Sequence, residues 1–113
     1  MTGNIRIALA QINPTVGDFK GNISMIAKAA ADARKMGADI AIFPELAVTG
    51  YPPEDLLLRP AFIRRCSDAV AQLAKTTDGI VVVAGAPVKE NQIYNAAVIL
   101  AGGKVAGVIM KSE

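Results

Sequence analysis

The sequence predicts an α/β fold in which helices cover a sheet. Two observations carry that prediction. Segments with strand periodicity alternate with segments with helical periodicity along the chain. Alanine, valine, isoleucine and leucine supply most of the 52% hydrophobic content, aromatics make up only 4%, and that balance suits cores built on buried strands.

Each element has a local reason. Ile5 to Gln11 alternates Ile5, Ile7 and Leu9 with Arg6, Ala8 and Ala10, which is the period of a strand. Asn13-Pro14 and Gly17-Asp18 mark a loop, with Asp18 placed as a helix N-cap. From Ile23 onward, Ile26, Ala27, Ala30 and Ala33 share one helical stripe, and Lys28, Asp32 and Lys35 lie on the other side. Gly37 follows as the closing glycine. Asp39 to Phe43 reads as a second strand ending at Pro44-Glu45. Ala47 to Pro60, with Gly50, Pro52, Pro53 and Pro60, reads as a structured loop with a short helical turn. Ala61 to Lys75 is a second helix whose apolar face holds Phe62, Cys66, Ala69, Val70 and Leu73. Ile80 to Ala84 is a continuous, mostly β-branched run, the mark of a buried strand. Tyr94–Leu100 and Lys104–Met110 flank Ala101-Gly102-Gly103 and predict an antiparallel hairpin. The order is β-α-β-α-β followed by that hairpin.

The 113 residues fit one small domain or a piece of a larger one. The chain stops at Glu113 directly after a strand, and a sheet ending there leaves an exposed edge, so a piece of a larger domain is expected. Twelve basic and ten acidic residues give a net charge of +2, too balanced to point to nucleic acid or an anionic membrane. Arg59, Arg64 and Arg65 form the nearest thing to a basic cluster and read as a solvated helix face. A lone cysteine excludes an internal disulfide and suits a reducing compartment. Histidine is absent, which excludes histidine metal sites and Ser-His-Asp chemistry within these residues. No signal peptide or bilayer-spanning run is visible, so a cytoplasmic protein is expected.

Three residues draw attention as carriers of chemistry. Glu45 sits where a buried strand meets a loop, the kind of place where α/β folds gather active-site groups. Partial desolvation there is expected to raise its proton affinity towards that of a general base; the alternative is a loop carboxylate capping a turn. Lys111 closes the apolar run Val105–Met110 and could aim its ammonium at a developing oxyanion, or lie along the surface. Cys66 lies in the apolar stripe of the second helix and reads as a small buried hydrophobe rather than a nucleophile. Gly85-Ala86-Pro87 matches no phosphate-binding loop pattern.

Several segments together resemble the nitrilase, or carbon–nitrogen hydrolase, superfamily. Ile7-Ala8-Leu9-Ala10-Gln11-Ile12-Asn13-Pro14 with Val16-Gly17-Asp18 is similar to its opening strand and loop. Gly37-Ala38-Asp39-Ile40-Ala41-Ile42-Phe43-Pro44-Glu45-Leu46 resembles the segment that carries its catalytic glutamate. Tyr94-Asn95-Ala96-Ala97 and the hairpin to Lys111 resemble the segment that carries its catalytic lysine. The stretch from Thr49 to Phe62, Thr-Gly-Tyr-Pro-Pro-Glu-Asp-Leu-Leu-Leu-Arg-Pro-Ala-Phe, is similar to a loop of glutamine-dependent NAD synthetases, as is Asn13 to Asp18.

That resemblance implies a nitrilase-type αββα sandwich of which residues 1–113 form the incomplete N-terminal portion, with no second domain present. Both long helices should then lie on one sheet face and leave the other apolar. It implies glutamine amide hydrolysis with Glu45 as base, Lys111 on the oxyanion and Tyr51 beside the substrate. The cysteine nucleophile would lie beyond Glu113, so this polypeptide alone would be inactive. ATP and Mg, and the nicotinic acid adenine dinucleotide that receives the ammonia, would belong to a later synthetase domain. No cofactor or metal is expected on these residues, and a homo-oligomer is expected of the whole protein. Two other readings stay open: a nitrilase-type amidase acting on a free small amide, and a non-catalytic α/β interaction module.

Overall fold

The computed structural model describes residues 3–52 and 54–110. The elements are β1 (Ile7–Leu9), α1 (Phe19–Lys35), β2 (Ile40–Ile42), α2 (Glu54–Leu57), α3 (Pro60–Ala74), β3 (Val81–Lys89), β4 (Ile93–Ala101) and β5 (Lys104–Met110).

The two long helices form where the pattern requires them. The Asp18 side chain accepts a hydrogen bond from Gly21 N at 3.1 Å and caps α1. Phe19, Asn22, Ile26, Ala30 and Ala33 make its buried face. Gly37, at φ 91°, turns the chain away. Helix α3 starts with proline at its first position, where the missing N–H has no partner to lose. Its buried stripe is Phe62, Cys66, Ala69, Val70, Leu73 and Ala74. The helices pack on each other through the Phe19 and Phe62 rings, whose centroids are 5.2 Å apart, and the Arg65 guanidinium covers the Phe19 ring at 5.0 Å.

The five strands form one sheet in the order β1-β2-β3-β4-β5. The first three are parallel, as strands joined through helices must be, and β3-β4 and β4-β5 are antiparallel. Ala41, Phe43, Val82, Ala84, Ala86, Val98 and Leu100 point into one core shared with α1 and α3. Ile26, Leu73, Leu100, Val82 and Val98 are wholly enclosed there, and each such side chain contributes about 1.5–3 kcal/mol. The alternate residues face away from the helices. Ile7, Leu9 and Ile109 on that face are 55%, 79% and 62% exposed, and Ile40, Ile42, Val81, Val83 and Ile99 are half-buried. Both long helices thus lie on one face and the other is apolar, as expected.

Most boundaries shift by one residue from the sequence reading, and two shift further. Strand β1 covers Ile7–Leu9 rather than Ile5–Gln11, because it is the edge strand and pairs with β2 only over three residues. Strand β3 does not stop at Ala84. It runs through Gly85, Ala86 and Pro87 to Lys89 and pairs with β4 from Lys89↔Ile93 to Val82↔Leu100. A second hairpin, closed by Glu90 N donating to Gln92 O at 2.9 Å, therefore precedes the one at Gly102-Gly103. The latter has φ of 61° and 82° at its two glycines, the left-handed pair that a tight two-residue hairpin turn requires. Among the described residues no helix is long and apolar enough to cross a membrane.

Candidate active site

After β2, Pro44 ends the strand and the chain makes a tight excursion before rejoining β3. Phe43 N donates to Val83 O at 2.8 Å, and Val48 N donates to Gly85 O at 3.2 Å. The residues between bulge over the apolar face of the sheet. Ala47 N donates to Pro44 O at 3.2 Å and Gly50 N to Leu46 O at 2.8 Å, which closes the turn. Leu46 takes φ 55°, a left-handed conformation that a branched side chain adopts only when its surroundings enforce it.

Gly85 is what lets the turn sit there. A Cβ at Gly85 would collide with Leu46 N and lie 2.8 Å from Glu45 Cα. The glycine is required by close approach of two backbones, not by its own φ. The turn is also tied to the opening loop. Asn22, fully buried, donates to Thr15 O and Val48 O and accepts from Thr15 N, all at 2.9 Å. Gly17 N donates to Thr49 O at 3.0 Å, and Gly50 packs with no room for a side chain against Val16.

Glu45 is thereby held over β3 and reaches β4. Asn95 Nδ2 donates to Glu45 Oε1 at 2.6 Å across 50 residues of sequence. The two side chains stand at the edge of a pocket of about 260 Å³ whose lining includes Ile42, Val83, Gly85, Ala97 and Ile109. Gly85 and Ala97 are cross-strand partners, and their small side chains leave the floor open. The Glu45 side chain is exposed rather than partly desolvated as the sequence suggested, because it projects over the sheet face that the helices do not cover.

The other candidates fall as follows. Lys111 lies outside the described residues; β5 is described to Met110, which pairs with Ala96, the neighbour of Asn95. Tyr51 is 65% exposed, and it is not among the residues lining the Glu45 pocket. Cys66 is 1% exposed, its thiol lies 3.7 Å from Pro87 O, and burial pushes its pKa up to about 12. A thiol so placed is a packing group. Arg64 and Arg65 stand on the outer side of α3 with Ser67 and Asp68, away from Glu45. Among the described residues no group of three or more His, Cys, Asp or Glu could hold a metal ion.

Sequence reasoning weighed Gly85 only as part of a phosphate loop, named Asn95 only within a family-like segment, and did not mention Asn22. A signal existed for each: Asn95 interrupts an apolar strand, Gly85 interrupts a β-branched run, and Asn22 occupies a core position three residues from Phe19 and four from Ile26.

A model of the carbon-nitrogen hydrolase family matches residues 6–113. A glutamine-dependent NAD(+) synthetase of Xanthomonas campestris pv. campestris is 46% identical over 111 residues, which are 96% of this chain and 20% of that protein. Among solved structures, a glutamine-dependent NAD(+) synthetase from Cytophaga hutchinsonii superposes with a TM-score of 0.90 at 30% identity, covering 96% of this chain and 19% of that one. A mutant of the amidase from Nesterenkonia sp. AN1 superposes with a TM-score of 0.80 at 26% identity over 97% of this chain and 45% of that one. In that structure acrylamide has added to the active site cysteine. The chain thus spans about a fifth of the length of the curated relatives it matches.

Proposed function

The chain belongs to the carbon–nitrogen hydrolase family, and from that premise we propose that it is the N-terminal portion of a glutaminase domain that supplies ammonia for NAD synthesis. The observation that carries the reading is the Glu45 carboxylate, held at an open apolar pocket by a turn that Gly85 accommodates and Asn95 reaches. Identity of 46% to an NAD synthetase supports the choice of pathway.

In the longer polypeptide, Glu45 takes the proton of a cysteine thiol supplied from beyond Glu113. The thiolate attacks the side-chain amide of glutamine, and a C–S bond forms. Lys111 donates to the oxyanion; a donor in that role is commonly worth ~3 kcal/mol, or about a hundredfold in rate. Protonated Glu45 gives its proton to the leaving nitrogen, and the C–N bond breaks to release ammonia. Glu45 then accepts a proton from the water that attacks the thioester, glutamate departs, and the thiol is restored. Tyr51, exposed just past the turn and outside the lining of the Glu45 pocket, is assigned to the glutamine side by the family resemblance alone. The ammonia amidates nicotinic acid adenine dinucleotide in a separate ATP- and Mg-dependent domain, in a cytoplasmic homo-oligomer. Support for Lys111 comes from the register, which brings β5 to Met110 beside Ala96.

A second reading, a free-standing amidase, is favoured by the likeness to the Nesterenkonia enzyme. Ammonia release from glutamine and from simple aliphatic amides by the longer polypeptide separates the two. The proposal expects glutamine to be preferred by roughly a hundredfold or more in kcat/KM. Equal or better turnover of acrylamide or propionamide would favour the amidase.

A further inference from the structure

Resting on the reading of Glu45 as the base, we infer that Asn22 of α1 is a positioning residue, which sets where that base stands by clamping the return limb of its turn. Asn22 is wholly buried, and its amide group bonds loop backbone. Its Nδ2 donates to Thr15 O and to Val48 O, and its Oδ1 accepts from Thr15 N, each at 2.9 Å. The amide has one orientation there, because two carbonyls face its nitrogen and one N–H faces its oxygen. The backbone beneath it is helical: Asn22 N donates to Asp18 O at 2.8 Å. The clamp therefore projects from the first turn of a helix of 17 residues.

Val48 is where the clamp meets the turn. Its N donates to Gly85 O in β3 and its carbonyl accepts from Asn22, so both of its peptide groups are held, one by the sheet and one by α1. At the other end Phe43 N donates to Val83 O at 2.8 Å. Glu45 stands on the arc between these anchors, with Leu46 and Ala47 separating it from Val48. Leu46 is the soft point of that arc. Its φ of 55° is one that a leucine leaves when its surroundings permit. Rotation back to negative φ turns the Glu45–Leu46 peptide plane and carries the Glu45 Cα with it. Gly17 N also donates to Thr49 O at 3.0 Å, but that bond joins loop to loop one residue further from Glu45, whereas Asn22 joins the turn to a helix. The clamp acts on the backbone that carries Glu45, so it operates whatever the carboxylate itself contacts.

A residue that acts through the Glu45 turn should slow the chemical step, spare glutamine binding and leave the fold standing. The test uses the longer polypeptide and compares Asn22→Asp, which keeps the size and the acceptor but loses both donations, with the milder Asn22→Ser, which shortens the side chain. Thr77→Val is the control. Thr77 is 1% exposed and donates to Ala74 O at 2.6 Å, but it lies before the start of β3 and outside the Glu45 turn. Glutamine hydrolysis, ammonium-dependent NAD formation and the urea midpoint are measured for each, with Glu45→Gln alongside. In both Asn22 variants kcat for glutamine is expected to fall roughly ten- to a hundredfold, the effect of displacing a catalytic group by about 1 Å. KM should stay within about twofold of wild type, and the ammonium-dependent rate should stay near wild type. Thr77→Val should lower the midpoint and keep kcat within about twofold. The inference is overturned if an Asn22 variant that retains the ammonium-dependent rate keeps kcat within about threefold or raises KM alone, or if Thr77→Val loses as much kcat, since kcat then follows stability. Loss of both activities together in both Asn22 variants likewise assigns Asn22 to folding alone. In each of these cases abolition of hydrolysis by Glu45→Gln leaves the reading of Glu45 standing; if Glu45→Gln leaves hydrolysis intact, that reading falls and the role of Asn22 falls with it.

Discussion

Glu45 could be found from sequence because its setting is local: an apolar strand, a proline that ends it, and a carboxylate next in line. Gly85 and Asn95 could not, because their importance depends on the β3-β4 register and on a turn 40 to 50 residues upstream. The Gly85 contact makes a sharp prediction. Gly85→Val drives a branched side chain into the backbone of Glu45 and Leu46, and overpacking of that kind costs on the order of 1–3 kcal/mol or more. Glutamine hydrolysis should fall at least tenfold, while the variant's circular dichroism stays α/β; wild-type turnover in Gly85→Val would remove the turn from the account. Cys66 gives a pH prediction. Its folded pKa, pushed from 9.0 up to about 12 by burial, means that the native state holds a proton the unfolded chain has lost. Its contribution to stability is whole below about pH 9 and is lost as pH rises towards 12. Iodoacetamide at pH 8 should therefore leave Cys66 unmodified in the native protein and label it in urea, as peptide mass mapping would report. Rapid native labelling at Cys66 would contradict its burial.

Helix limits were largely legible from capping chemistry and periodicity. Asp18 and Gly37 bracket α1, and Ala61–Lys75 was placed one residue from the observed Pro60–Ala74. Strand β3 was not, because Gly85-Ala86-Pro87 carries turn chemistry that tertiary pairing overrides. Proline fits there as a strand residue whose carbonyl faces the Cys66 thiol. The loops that build the site are joined by the Gly17–Thr49 backbone bond and by one side chain, Asn22 of α1, which bonds Thr15 and Val48 from a fully buried position. Asn22→Leu leaves Thr15 N and the Val48 carbonyl without that partner. A loss of about 3 kcal/mol is expected, read as a lower urea midpoint with an unchanged slope. A midpoint within error of wild type would show that the Gly17–Thr49 bond holds the two loops without help from Asn22.

At the scale of the molecule, the alternation of strand and helix carried the fold class, and the single-sided placement of the helices follows from β1, β2 and β3 lying side by side in parallel. The structure adds what the opposite face looks like: Ile7, Leu9 and Ile109 largely exposed, with the Glu45 turn projecting over the same side. The site therefore opens on the face that the described helices leave uncovered, which is why the carboxylate is exposed although its place at a strand end was foreseen. The most direct test of the central claim, that Glu45 is the base of a glutaminase feeding NAD synthesis, is NAD formation by the longer polypeptide with either glutamine or ammonium as nitrogen source. Glu45→Gln should reduce the glutamine-dependent rate by at least about a thousandfold and leave the ammonium-dependent rate near wild type. Glutamine-dependent synthesis that survives the substitution at close to the wild-type rate would contradict the account.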